Sequence, residues 1–365
     1  MRKFFRIFLI TFNIIVAVSL ILSYLCCFIN PKTVWWIGFF GLAYMYLLVA
    51  NLCFALLWLF SLHKKRFVIS LLSIVLGWPF IGWNIQLLTK EIPEEEMDRS
   101  FKVISFNVQG FAQMNTIQPN GNNLNLFHFF REKDADIICM QEFVTSIWGK
   151  DLSEKNIRQQ LNSMPFYHAK LTGKPGYMSG VATFSKYPIV CNELIFSDST
   201  TNACICSDLL IGTDTVRVYN IHLKSVGFHH DEKHLLNNMV KIDYGKSDVR
   251  VVKSIFRQLA VSSFDRERQV RIISSHIAQS PYPVIICGDF NDPPTSYSYQ
   301  KIRGIRKDAF VEAGSGRSIT YNIGNIASLR IDNILFSDIF KAYNYDSPRV
   351  HLSDHFPVTC RIVKK

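Results

Sequence analysis

Residues 284–294 read Val-Ile-Ile-Cys-Gly-Asp-Phe-Asn-Asp-Pro-Pro. An apolar run, Val284–Cys287, has strand length and β-branched composition. It gives way to a glycine and then to Asp289, Asn291 and Asp292 in a turn closed by prolines. A strand that ends this way carries its carboxylate and amide to the edge of a sheet. Asp289 and Asn291 are two apart, so on extended chain both side chains point the same way. One can then polarise a water while the other holds a phosphate oxygen.

The same design recurs along the chain. Phe101–Asn107 is a strand ending in Asn107, and Asp136–Met140 leads to Gln141 and Glu142. Val216–His222 ends in Asn220-Ile221-His222-Leu223, and Ile331–Phe336 contains Asp332. Leu352-Ser353-Asp354-His355-Phe356-Pro357 opens the last strand, Phe356–Val363. A single strand-terminal Asp or His serves a turn as readily as a reaction. Several in one chain can share one reaction. Glu142 and Asn107 offer the oxygen ligands a hard cation such as Mg²⁺ takes. His222 and His355 can donate to a phosphoryl group as negative charge builds. Asp332 can fix the tautomer of His355 and raise its basicity.

Helical periodicity fills the gaps, over Asn125–Lys133, Ser153–Asn162 and Asp248–Gln279. Strands interleaved with helices make residues 101–365 a layered α/β domain. The segment 227–246, rich in His, Asn and Lys, reads as a long insertion. His229, His230 and His234 within it are expected to be solvated loop residues, and Lys224, Arg266 and Arg268 a solvated basic face. Tyr177 and Met178 fall in a loop that borders the substrate groove in this reading.

The first 89 residues are different. Uncharged runs at 7–31, 33–62 and 67–89 are each long enough to cross a bilayer as a helix. Arg2, Lys3 and Arg6 precede the first run, and Lys64, Lys65 and Arg66 separate the second from the third. The positive-inside rule makes both basic segments cytoplasmic, so three crossings carry everything after residue 90 to the outer side. Trp35, Trp36, Trp58, Trp78 and Trp83 stand toward run ends, where interfacial aromatics belong. Gly77, Pro79 and Gly82 give the third helix the means to kink. The runs hold no acidic or basic residue, which argues for an anchor rather than an ion path. Residues 90–100, charged and containing Pro93, read as a linker.

The net charge of +11 suits a phosphate ester or an anionic membrane surface. The nine cysteines show no CxxC pair and no zinc spacing, and their disulfide pairing stays open.

Taken in order, these clusters resemble the endonuclease/exonuclease/phosphatase superfamily. Asn107 matches its strand-end Asn, Gln141-Glu142 its Q-E pair, and Asn220–Leu223 its N-x-H-L. Gly288–Asn291 matches G-D-F-N, Ile331–Leu335 matches I-D-x-I-L, and Ser353–Pro357 matches S-D-H-x-P. The resemblance covers about residues 101–365 and implies a four-layer α/β/β/α sandwich, here preceded by three transmembrane helices. It implies that Glu142 holds Mg²⁺, or Mn²⁺ in its place, with Asn107 and Asp354 assisting. Asp289 would orient or deprotonate the attacking water, Asn291 position the phosphate, His222 and His355 stabilise the transition state, and Asp332 pair with His355. The expected activity is hydrolysis of a phosphodiester or phosphomonoester by a multi-pass protein of the cell's inner membrane, with its catalytic domain extracytoplasmic. The substrate would be a lipid head group, a nucleic acid or a small phosphate ester, with lipid around the helices and no obligate protein partner. The competing readings are an Mg²⁺-dependent endonuclease acting on extracytoplasmic DNA or RNA, and a non-catalytic membrane-tethered binding module of the same fold.

Overall fold

The computed structural model describes residues 2–117, 123–147, 152–198, 200–227, 246–323 and 327–365. His229, His230, His234 and most of the 227–246 insertion lie outside the described residues.

Two six-stranded sheets face each other. The first is built from β1 (Phe101–Asn107), β4 (Ile137–Ser146), β5 (Phe166–Lys174), β6 (Tyr177–Ser185), β15 (Phe340–Asp346) and β16 (Val358–Lys364), in the order β15-β16-β1-β4-β6-β5. The second contains β7 (Ile189–Ser197), β8 (Ala203–Ile211), β9 (Asp214–His222), β10 (Val284–Asp289), β11 (Lys307–Asp308) and β14 (Asp332–Phe336), in the order β11-β14-β10-β9-β8-β7. Short hairpins, β2–β3 (Asn115–Ile117, Asn123–Asn125) and β12–β13 (Tyr321–Ile323, Ala327–Leu329), flank them. Several of these strands escape a reading by apolar runs. The edge strand β7, for example, is largely exposed, and Asn192-Glu193 divide its apolar residues into two short pieces.

Period-two alternation divides each central strand between two cores. Val103, Cys139, Val218, Ile285, Cys287 and Ile334 point inward and fill the space between the sheets. Ile104, Phe106, Ile138 and Met140 point outward under the helix Leu126–Lys133. Tyr219, Ile221, Ile286 and Leu335 point outward under Val270, Ile273 and Ile277 of the helix Lys246–Ala278. The layers are therefore helix, sheet, sheet, helix. Burying one such side chain stabilises by roughly 1.5–3 kcal/mol.

A buried polar tie joins the sheets. The Gln141 amide donates to Asn220 Oδ1 at 2.7 Å, and the Asn220 amide donates to the carbonyls of Ala182 and Met140 at 2.9 and 3.2 Å. The nine cysteines are all free.

The N-terminal region is a helical bundle. Its first helix, α1 (Arg2–Leu25), contains Lys3–Leu25, the one described helix long and apolar enough by itself to cross a membrane. The other two uncharged runs are not continuous helices. The second bends by 62° between α2 (Gly38–Leu42, preceded by the turn Trp35–Ile37) and α3 (Tyr44–Leu59). The third bends by 61° between α4 (Phe67–Leu76) and α5 (Trp78–Asn84). The second bend lies at Gly77, where a Cβ would sit 2.0 Å from the Tyr24 ring, and Pro79 opens the helix that follows. Buried polar side chains tie α1, α3 and α4 together. Asn13 donates to Ser70 Oγ at 2.7 Å and accepts from the Trp58 indole at 2.9 Å. Asn51 donates to the Val16 carbonyl at 3.1 Å and accepts from Ser73 Oγ at 3.1 Å. Where lipid surrounds a bundle, such bonds are part of what holds it together.

Residues 90–100 are not a loose linker. Lys90 N–H donates to the Ala313 carbonyl at 3.4 Å, Asn344 N–H to Lys90 at 2.8 Å, and Ile92 N–H to Asn344 Oδ1 at 3.0 Å. Glu96 pairs with Lys341 at 2.9 Å. The chain needs partners for its backbone groups, and it finds them along the sandwich.

Candidate active site

The parity that builds the inter-sheet core also builds the site. Asn107 continues the inward row of Val103 and Ser105, Asp289 that of Ile285 and Cys287, and His222 that of Val218 and Asn220. Asp332 begins the row of Ile334 and Phe336. All four are buried at one open end of the sandwich. Registry aligns them laterally: Asp289 lies opposite His222 on parallel β9 and opposite Asp332 on antiparallel β14. This packing demands glycine at Gly288, whose φ is +152° and whose Cβ would meet the Ile221 carbonyl at 2.0 Å.

Glu142 arrives by another route. Pairing of β4 with β6 runs Met140↔Ala182 and then Phe143↔Gly180, so β4 carries one extra residue there. That is a β-bulge, which re-aims a side chain. Glu142 sits in it with φ +51° and a half-exposed carboxylate turned to the site.

The distances describe a convergent set. Asn107 Nδ2 is 3.0 Å from Asp289 Oδ2 and 3.3 Å from Glu142 Oε1, while its Oδ1 accepts from Gln109 N–H at 3.1 Å. The amide nitrogen, not the oxygen, thus faces the two carboxylates. Nε2 of His222 is 3.8 Å from Asp289 Oδ2 and 3.7 Å from Glu142 Oε1. It is buried without a hydrogen bond. Nε2 of His355 is also 3.8 Å from Asp289 Oδ2, and its Nδ1 lies 2.9 Å from Asp332 Oδ2. Asn291 is in a turn with φ +51° rather than on extended chain. It still faces Asp289: its N–H donates to Oδ1 at 2.8 Å and its amide to Oδ2 at 3.2 Å. That amide also reaches the Leu223 carbonyl at 3.0 Å. Asp354 stands exposed at the rim, its N–H on Gln109 Oε1 at 3.3 Å. All eight side chains singled out from the sequence therefore meet at one end of the fold.

Electrostatics separates the two histidines. Burial opposes a charge on His355, but Asp332 and then Asp289 outweigh it and push the imidazole up to about 10. Burial raises the Asp332 carboxyl to about 6. At neutral pH the pair is an imidazolium on a carboxylate, with Nε2–H aimed at Asp289.

Ligand atoms of Asp289, Asp332 and His355 lie within 4.8 Å of one another. Asp332 engages His355 Nδ1, so within this trio only Nε2 of the ring is left to face Asp289. The oxygen-rich side is different. Among the described residues the ion-pair partners of Glu142 and Asp289 are histidines. Four carboxylates (Glu142, Asp289, Asp332, Asp354) thus gather at this end of the fold, a concentration of oxygen ligands of the kind a divalent cation takes. Tyr321 registers the same field. Burial, then Asp354, Asp289 and Glu142, push its phenol up to about 12.

Some participants have no sequence signal. Tyr321 covers His355 with ring centroids 4.6 Å apart, from a hairpin that shares no motif with the site. Thr320 Oγ1 accepts from the N–H groups of Ile331 and Asp332, both at 3.0 Å. Arg266 is not part of a solvated face. It is buried, with Nε on Asp292 at 3.1 Å and Nη1 on the Lys224 carbonyl at 2.9 Å. Arg268 and Tyr177 are exposed.

The profile described as the Endonuclease/Exonuclease/phosphatase family matches residues 104–355. One described as a domain of unknown function matches residues 2–83. No curated protein matches the chain. Among solved structures, an endonuclease/exonuclease/phosphatase from Beutenbergia cavernae is similar at TM-score 0.51 and 16% identity, over 73% of this chain and 72% of that one. TDP2 of D. rerio, complexed with single strand DNA product, aligns at TM-score 0.49 and 13% identity, over 72% and 98%. The mannosyl-6-phosphatase Bt3783 of Bacteroides thetaiotaomicron aligns at 0.43 and 17%, over 72% and 99%. The first of these shows a shared fold.

Proposed function

The chain belongs to the endonuclease/exonuclease/phosphatase family, and from that premise we propose that it hydrolyses a phosphate ester, diester or monoester, with Mg²⁺ or Mn²⁺ as cofactor. The observation that carries this reading is the convergence on Asp289 Oδ2. Two imidazole Nε2 atoms face it from 3.8 Å, beyond direct hydrogen-bond distance, so both can turn to a water or phosphoryl oxygen bound beside it.

In this reading Asp289 accepts the proton of the attacking water. Asn291, fixed by Asp289 and the Leu223 carbonyl, holds a phosphoryl oxygen. His222 fills its open valence on the phosphoryl group, and protonated His355, braced by Asp332, donates to the charge that builds there. The new bond joins water oxygen to phosphorus, and the ester oxygen departs with the electrons of the broken bond and takes up a proton. Glu142 and Asp354 would hold the cation, with Asn107 orienting Glu142, and the ion would supply positive charge to offset that of the phosphoryl group.

In this reading the bundle crosses the membrane three times. Desolvation, then Arg6 and Arg66, hold the His63 imidazole below its usual range, so the start of α1 lies near the basic loop; the other end of α1 runs into Cys26, which meets Thr295 of the sandwich. By the positive-inside rule the basic end is cytoplasmic and the sandwich lies outside.

The test is release of p-nitrophenol from bis(p-nitrophenyl) phosphate and p-nitrophenyl phosphate by the full-length protein with Mg²⁺. Turnover that chelator and Asp289→Asn both abolish is the expected result. No turnover of either ester at any divalent cation overturns the reading.

A further inference from the structure

The helical bundle does not hang from the sandwich at a distance. It is docked on the end that carries the site. Thr295 lies on the loop that begins at Asp289; its carbonyl accepts from Cys26 Sγ at 2.7 Å, and its Oγ1 donates to the Gly41 carbonyl at 2.9 Å. The fit is close, since a Cβ on Gly41 would stand 2.3 Å from Thr295 O and 2.4 Å from Cys26 Sγ. Arg330, which leads β14 into Asp332, donates to the Trp83 carbonyl at 2.9 Å while holding Asp308 at 2.8 Å. Gly316, on the segment leading to Tyr321, exchanges backbone bonds with Gln86 at 3.0 and 2.7 Å. Glu267, on the helix beside Lys224, takes Lys32 at 2.6 Å. The segments that border the catalytic groups thus run into the sandwich-side end of the bundle.

That end carries membrane-surface chemistry. Trp35 and Trp36 are exposed there beside α2, and Phe39 meets Phe256 of the helix Lys246–Ala278 with ring centroids 4.8 Å apart. On that helix Val252 and Phe256 are exposed, as are Arg250, Lys253 and Arg257. Aromatic rings at head-group level, next to basic side chains, are what an interfacial helix presents to anionic lipid.

We infer that the phosphate ester belongs to a membrane amphiphile, taken from the bilayer surface with its phosphorus at head-group height. The inference rests on the phosphohydrolase reading and narrows its substrate. A rim pinned to the bundle by Thr295, Arg330 and Gly316 opens beside the lipid surface. A nucleic acid duplex, a stiff rod with a charge every ~1.7 Å, would have to be laid flat against the bilayer to reach the same mouth. A lipid already lies at the mouth, and its chains need not leave the bilayer.

The test uses the full-length protein in phosphatidylcholine vesicles that carry phosphatidylglycerol as diester and phosphatidic acid as monoester. Three substrates are compared with Mg²⁺: the lipids themselves, followed as water-soluble phosphorus released, soluble bis(p-nitrophenyl) phosphate, and plasmid DNA. The expected result is lipid hydrolysis at least about tenfold faster than that of the soluble ester, because bilayer contacts remote from phosphorus position it. Its rate should follow the mole fraction of substrate lipid in the vesicle, not bulk concentration. Hydrolysis of the soluble ester without that of lipid overturns the inference and leaves the hydrolase reading standing. Faster cleavage of DNA than of lipid does the same. Inertness toward all three brings down both.

Discussion

The two sheets bring unlike halves to the site. The second sheet supplies His222, Asp289 and Asp332 from consecutive ladders, in plain register, all buried. The first supplies buried Asn107 from plain register but Glu142 only through a bulge, half-exposed. In the proposed mechanism the buried half is the proton-handling relay, because neighbouring strands leave its side chains one arrangement. The exposed half would offer the oxygen ligands, open geometry and access to water that an exchangeable cation requires. A site divided this way would let an ion come and go without unsettling the acid–base pair.

The largest effect expected from breaking the division is at Asp289. Asp289→Asn should lower kcat by about 10²–10⁴, with no rescue by added cation. Loss of a donor comes next. His222→Ala should lower kcat by about 10²–10³ with little change in KM for the soluble ester, since the bond is made to charge that builds in the transition state. Asn107→Ala sharpens the contrast. It should weaken Mg²⁺ by about 10–100-fold in a metal titration of activity, with the rate recovered at high Mg²⁺. If excess cation also restores Asp289→Asn, the two halves are not distinct.

The remaining tests concern stability. Gln141→Ala strips the partner from Asn220 between the sheets and should destabilise by about 1–3 kcal/mol in denaturant unfolding. The smallest effect is the pH dependence of the buried pair. His355 has a raised folded pKa, so its contribution is whole below about 6.5 and is lost as pH rises toward about 10. The melting temperature should fall across that window in the native chain and fall less steeply in His355→Asn.

Much of this was legible in the residues. Strand-end Asn107, His222, Asp289 and Asp332 declare themselves because a strand has period two, so a polar residue in register with an apolar row shares its face. The turn at Asp289–Asn291 is legible too, but its left-handed backbone at Asn291, which keeps the two side chains together, is not. The apolar runs at 33–62 and 67–89 were legible as apolar, but not their bends, which follow from contacts with partners distant in sequence. Arg266 looks like any basic helical residue until Asp292 is seen against it.

The sequence by itself determined which polar residues stand at strand ends in line with an inward apolar row, because alternation along a strand is a local property. Only the tertiary structure decided how Glu142 turns into the site, that Tyr321 covers His355, and that the bundle grips the catalytic end through Thr295 and Arg330. Those outcomes depend on a bulge and on packing between segments far apart in the chain, and neither leaves a period to read.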